Sequence, residues 1–127
     1  MTNDGELANR LTHPSYEVPK TYVARVHGEV KPQVRKQLLK GIELEDGPIA
    51  VDGFRVVETF GDITAVEIRV HEGRNRLVRR LMDAVGFPVR ELVRTEFGPI
   101  RLERLQPGTT RRVKGNMLVG LYSCVGL

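Results

Sequence analysis

The spacing of apolar and polar residues changes several times along this chain, and each change marks a predicted element. Over residues 21–27 it alternates by two, with Tyr22, Ala24 and Val26 on one face and Val23 and Arg25 on the other, as in a half-buried strand. Pro32 suits the first turn of a helix over 31–40 whose apolar side is Val34, Leu38 and Leu39, and Gly41 ends it. Two strands at 54–60 and 63–70, separated by Gly61 and Asp62, predict a hairpin. In the second of these Thr64, Val66, Ile68 and Val70 share one face, which fixes the register. Across 75–85 the period becomes helical, with Leu77, Val78, Leu81, Met82 and Val85 on the apolar side, Asn75 as the cap, and Gly86 and Pro88 as the stop. A strand at 90–97, a turn at Gly98 and Pro99, and a strand or sheet edge at 100–105 follow. Residues 114–125 fit helix or strand, since Met117, Leu118, Leu121 and Tyr122 share a helical face while Gly115 and Gly120 weaken it. Asp4 caps a further short helix through 9–11. Hairpins rather than regular strand–helix alternation place the chain in the α+β class, with a mixed, largely antiparallel sheet flanked by helices.

Length and composition narrow the picture. At 127 residues and 40% hydrophobic content the chain suits one domain with a modest core. No apolar run reaches the roughly 18 residues of a membrane helix, and the opening MTNDGELANR has no signal-peptide pattern, so a cytoplasmic protein without membrane contact is expected. Cys124 has no partner for a disulfide, and His13, His27 and His71 lack metal-site spacing, so neither a disulfide nor a structural metal is expected. The net charge of +4 matters only if the basic residues cluster. They do: residues 74–80 read RNRLVRR, whereas 41–54 carry Glu43, Glu45, Asp46 and Asp52 with no Lys or Arg. Such a run is either a solvated helix face or a surface for an anionic partner, and guanidinium forks suit phosphate.

On a helical wheel of about 100° per residue the five apolar residues of 77–85 span an arc of roughly 140°. Arg76 and Arg80 fall on the opposite, solvent side, and Arg79 about 60° beyond Met82 at the margin of the core. Arg79 is therefore either a side chain lying along the core edge or one bordering a cleft. Tyr22 shares the inner face with Ala24 and Val26, which suits a core tyrosine whose hydroxyl seeks a partner, and Lys20 points to the same side. Cys124 reads as a small hydrophobe and His13 as a loop residue.

Four segments in order, TNDGELANRLTHP (2–14), KTYVARVHG (20–28), EGRNRLVRRLMDAVGFPVRELVRTEFGPIRL (72–102) and LQPGTTRRV (105–113), resemble the catalytic domain of the bacterial ribosomal RNA pseudouridine synthases. The resemblance implies isomerisation of uridine in ribosomal RNA, slightly favouring the large subunit, by detaching uracil and reattaching it through carbon without metal or cofactor. It makes Tyr22 the tyrosine that packs on the reacting base, Arg79 the partner of the catalytic aspartate and Leu92 the apolar floor of the pocket. Lys20, Arg74, Arg76 and Arg80 become the candidate RNA-binding residues. Leu77 stands where the family usually has glutamine. The family's nucleophilic aspartate lies in a Gly-Arg-Leu-Asp segment on a strand just before the Thr-Asn-Asp-Gly turn, and the 127 residues begin at that turn. The expectation is thus one partial catalytic domain over 1–127, lacking both that strand and the family's small RNA-binding domain, and inactive alone. An open sheet edge or a gap beside Tyr22 is also expected, through which copies could self-associate. The competing reading is a non-catalytic RNA-binding or ribosome-associated module that keeps the fold.

Overall fold

The computed structural model describes residues 1–127. The main sheet, five-stranded and antiparallel, is formed by β1 (Lys20–His27), β4 (Gly53–Phe60), β5 (Ile63–Val70), β6 (Val89–Phe97) and β7 (Ile100–Arg101) in the order β4-β5-β1-β6-β7. Four helices accompany it: α1 (Gly5–Thr12), α2 (Pro32–Lys40), α3 (Leu77–Ala84) and α4 (Gly115–Ser123). The α+β class is therefore as expected, and every strand pairing is antiparallel.

The two-residue alternation decides which face of the sheet is buried. Ala24 and Val26 of β1 and Thr64, Val66, Ile68 and Val70 of β5 all turn inward, where α2 contributes Val34 and Leu38 and α3 contributes Leu77, Val78, Leu81 and Met82. Burying each of the larger apolar side chains is worth about 1.5–3 kcal/mol, which is what holds both short helices on the sheet. Thr64, the polar member of this inner face, satisfies its hydroxyl by donating to the Gly28 carbonyl at 2.6 Å. A second, smaller cluster joins Leu7 of α1, Val18 and Val125, with Leu121 and Tyr122 of α4 packed against it.

Several expectations require correction. Asn75 does not cap α3: the N-cap is Arg76, whose backbone is left-handed at φ 52° and whose side chain makes no capping bond. The strand expected over 100–105 is only the two-residue β7. The acidic connection holds an unforeseen hairpin of β2 (Ile42–Leu44) and β3 (Gly47–Ile49). The ambiguous tail is helical. No sheet edge lies open beside Tyr22, because β1 is the central strand, paired with β5 on one side and β6 on the other; the edges are β4 and β7. No helix is long and apolar enough to cross a membrane.

Candidate active site

Beside Tyr22 there is a cleft of about 450 Å³ on the inner side of the sheet. Three separate elements supply its walls. β1 contributes Lys20 and Tyr22 by alternation, and β6 contributes Leu92 and Arg94 in the same way, with Tyr22 opposite Arg94 and Ala24 opposite Leu92. The third wall is the start of α3, where Arg76, Leu77, Val78 and Arg79 reach the opening.

Helix α3 owes its position to both of its ends. At its C-terminus Gly86, at φ +89°, lets the chain turn back, so that the amides of Gly86 and Phe87 donate to the carbonyls of Asp83 and Met82. Its N-terminus, with Arg76 in a left-handed conformation that costs a non-glycine residue about 1–2 kcal/mol, points the preceding loop across the cleft mouth. Arg79 then sits half-buried at the margin of the core, where its Nη1 donates to the Val89 carbonyl of β6 at 3.3 Å. That bond aligns the guanidinium along the cleft wall while leaving its remaining donors for a ligand.

Of the sequence-derived site residues, Tyr22, Arg79, Leu92, Lys20, Arg74 and Arg76 all line this cleft, and Arg80 does not. Arg80 is engaged by Asp46, at the tip of the β2–β3 hairpin, through two contacts of 3.0 Å. Arg74 reaches the same hairpin, donating to the carbonyls of Gly47 and Pro48 at 3.0 Å each, and pairs with Glu72 and Asp46. The basic and acidic runs that the sequence keeps apart thus meet in space. The Arg80 hydrogen bond holds the Asp46 carboxyl below its ordinary range, and the same bond raises Arg80. Arg76 stays exposed, turned to the cleft.

Arg94 and Phe97 were not singled out from the sequence. The signal was available, since counting by two from Leu92 places Arg94 on the same face of β6. Phe97 escapes that count because the pairing of β6 with β1 shifts register between Thr21 and Tyr22. Nothing local in the sequence signals the ties of Asp46 to Arg74 and Arg80, which span 28 and 34 positions.

Comparison with known proteins identifies the family and the fold. The family profile for RNA pseudouridylate synthase matches residues 1–84. An uncharacterized RNA pseudouridine synthase of Mycobacterium tuberculosis is 53% identical over all of this chain, which covers 50% of that protein. Ribosomal large subunit pseudouridine synthase B of Bacillus subtilis is 39% identical over 89% of this chain and 47% of its own length. Among solved structures, a crystal structure of a pseudouridylate synthase superposes with a TM-score of 0.66 at 28% identity, covering 79% of this chain and 43% of that one. The chain belongs to the RNA pseudouridylate synthase family. It spans about half the length of the curated relatives it matches.

Proposed function

We infer that residues 1–127 form one part of the catalytic domain of an enzyme that converts uridine to pseudouridine in ribosomal RNA, in the cytoplasm, with the large-subunit RNA slightly favoured. The observation that carries this reading is the meeting of Tyr22, Leu92 and Arg79, from β1, β6 and α3, in a single cleft. A uridine within folded RNA must leave its stack before its glycosidic bond can be reached, so the site needs one aromatic and one aliphatic surface for the base. Tyr22 packs on the uracil and Leu92 floors the pocket. The isomerisation breaks the bond from ribose to nitrogen and forms one to carbon, with no net gain or loss of atoms. Arg79, half-buried and bonded only to a carbonyl, is suited to hold a carboxylate ionised and oriented.

That carboxylate belongs to the family's Gly-Arg-Leu-Asp segment, which these 127 residues do not contain. The chain alone therefore supplies the base pocket and the orienting arginine but not the nucleophile, and tyrosine with arginine does not replace it. The test is incubation of ribosomal RNA with this chain, and with the chain extended upstream by a segment carrying Gly-Arg-Leu-Asp. Pseudouridine formation by the extended polypeptide alone is the expected result. Conversion by the 127 residues would overturn the assignment of roles, and RNA binding by both with conversion by neither would favour a non-catalytic module.

A further inference from the structure

Two cations in the cleft, Lys20 and Arg94, pair with no carboxylate and share one aromatic ring. The Lys20 ammonium lies 5.6 Å from the centroid of Phe97 and the Arg94 guanidinium 4.9 Å from it. Lys20 stands opposite Phe97 in the β1–β6 pairing, and Arg94 stands opposite Tyr22, so the arrangement is set by backbone register. Three other strand arginines have carboxylate partners, Arg25 with Glu91, Arg55 with Glu67 and Arg101 with Glu96, whereas Arg94 has none. The charged group that acts on Lys20 is instead Arg94, a like charge, and burial followed by that charge pushes the lysine below its ordinary range. An anion seated between the two heads would relieve both effects.

We propose that Lys20 and Arg94, resting on the Phe97 ring, clamp a single RNA phosphate belonging to the nucleotide whose base enters the cleft. The proposal rests on the reading above that this cleft receives RNA. Position supports it: Arg94 lies two residues beyond Leu92 on the same strand face, about 7 Å along β6. A nucleotide with its base on Leu92 and Tyr22 brings its backbone to that level. Chemistry selects phosphate, since a guanidinium fork and an ammonium point charge together match its several oxygens. The ring fixes the clamp, because both cations gain from its face and neither is drawn off by a carboxylate. Lys20 and Arg94 are thereby assigned to holding the strand, and Arg79 to the reacting end.

The experiment uses the 127-residue chain with two probes. Uridine 5′-monophosphate and uridine are titrated separately while the Arg94 side-chain Nε and the Phe97 ring signals are followed by NMR; the nucleotide should shift both and the nucleoside neither. In parallel, affinity for a ribosomal RNA fragment is measured across salt concentrations for the parent, Lys20→Ala, Arg94→Ala and the double variant. If both cations hold one phosphate, the log–log salt slope of the double variant should be shallower by about 0.7–0.9, no more than one phosphate's worth. A loss of about 1.4–1.8 would mean two separate phosphates and overturn the shared clamp. An unchanged slope in the double variant, with RNA still bound, would overturn the clamp and leave the RNA reading standing. Shifts with the nucleotide but no RNA binding would keep Lys20 and Arg94 as a phosphate site while overturning the RNA reading and with it the RNA phosphate. Equal responses to nucleotide and nucleoside, or none to either, would overturn the clamp whatever RNA does.

Discussion

Two side chains that look alike in sequence, Arg79 and Arg80, have opposite employment. Arg80 and Arg74 bind the β2–β3 hairpin through Asp46, whereas Arg79 keeps only a carbonyl for company. Replacing the carboxylate by its amide, Asp46→Asn, should release Arg80 toward an RNA strand, while Arg74 keeps the Gly47 and Pro48 carbonyls and Glu72. The log–log salt slope of RNA binding should then steepen by about 0.7–0.9. An unaltered slope would show that Asp46 does not withhold this charge. A second residue-scale pair titrates. The His71 imidazole meets Asp52 at 2.8 Å, and that hydrogen bond raises it above its ordinary value of 6.5. Because the folded value is raised, the stabilisation is fully present below about pH 6.5 and is lost as pH rises through the folded value. Both side chains are more than a third exposed, so solvent screens the effect. His71→Asn should consequently cost more stability in acid than in alkali, as read from denaturant midpoints at about pH 5.5 and 9. A cost that grows with pH would contradict the assignment. The sequence reading could place Arg79 at the core margin and Arg80 on the solvent side because a helical wheel is local; it could not foresee that Arg80 is engaged by Asp46, 34 positions away.

Elements were legible in proportion to the length of their pattern. β1, α2, β5 and α3 each repeat an apolar spacing over eight or nine residues, β4 is marked by the turn it shares with β5, and the expected boundaries of all five fall within two residues of those observed. β2 and β3 have three residues each, too few to show a period, and one of them contains Pro48. Helix α4 was ambiguous because of its glycines, and the structure gives one of them a purpose. Gly115 at the helix start has φ +63°, a conformation that favours glycine, whereas a Cβ at Gly120 would meet the Pro99 ring at an ordinary 3.6 Å. At α3 the informative feature is the strained residue Arg76. Arg76→Gly relieves a left-handed conformation but adds freedom to the unfolded chain, two effects of about 1 kcal/mol and opposite sign. Thermal stability should stay close to the parent while the salt slope for RNA falls by about 0.7–0.9. A large loss of stability with RNA binding intact would instead make Arg76 a structural residue.

For the molecule as a whole, unequal clusters imply unequal local stability. The larger core joins fifteen buried residues, most of them from the sheet, α2 and α3, whereas the smaller has only Leu7, Val18 and Val125 at its centre. Yet the smaller one positions α1, which brings Leu11 and Thr12 to the cleft. Its supports come from the far end of the chain: Arg10 donates to the Val125 carbonyl at 2.9 Å, and the Tyr122 hydroxyl donates to Asp4, the cap of α1, at 2.8 Å. Such a unit should open before the main sheet does. Val125→Ala removes two buried methyl groups at about 0.8 kcal/mol each, enough to raise the open population of this unit roughly tenfold. Native-state amide exchange should accordingly quicken by about that factor in α1 and α4, with β1 and β5 keeping the parent's protection. Equal acceleration in β1 and α1 would mean that both clusters unfold together and that the cleft's α1 wall is as fixed as its sheet.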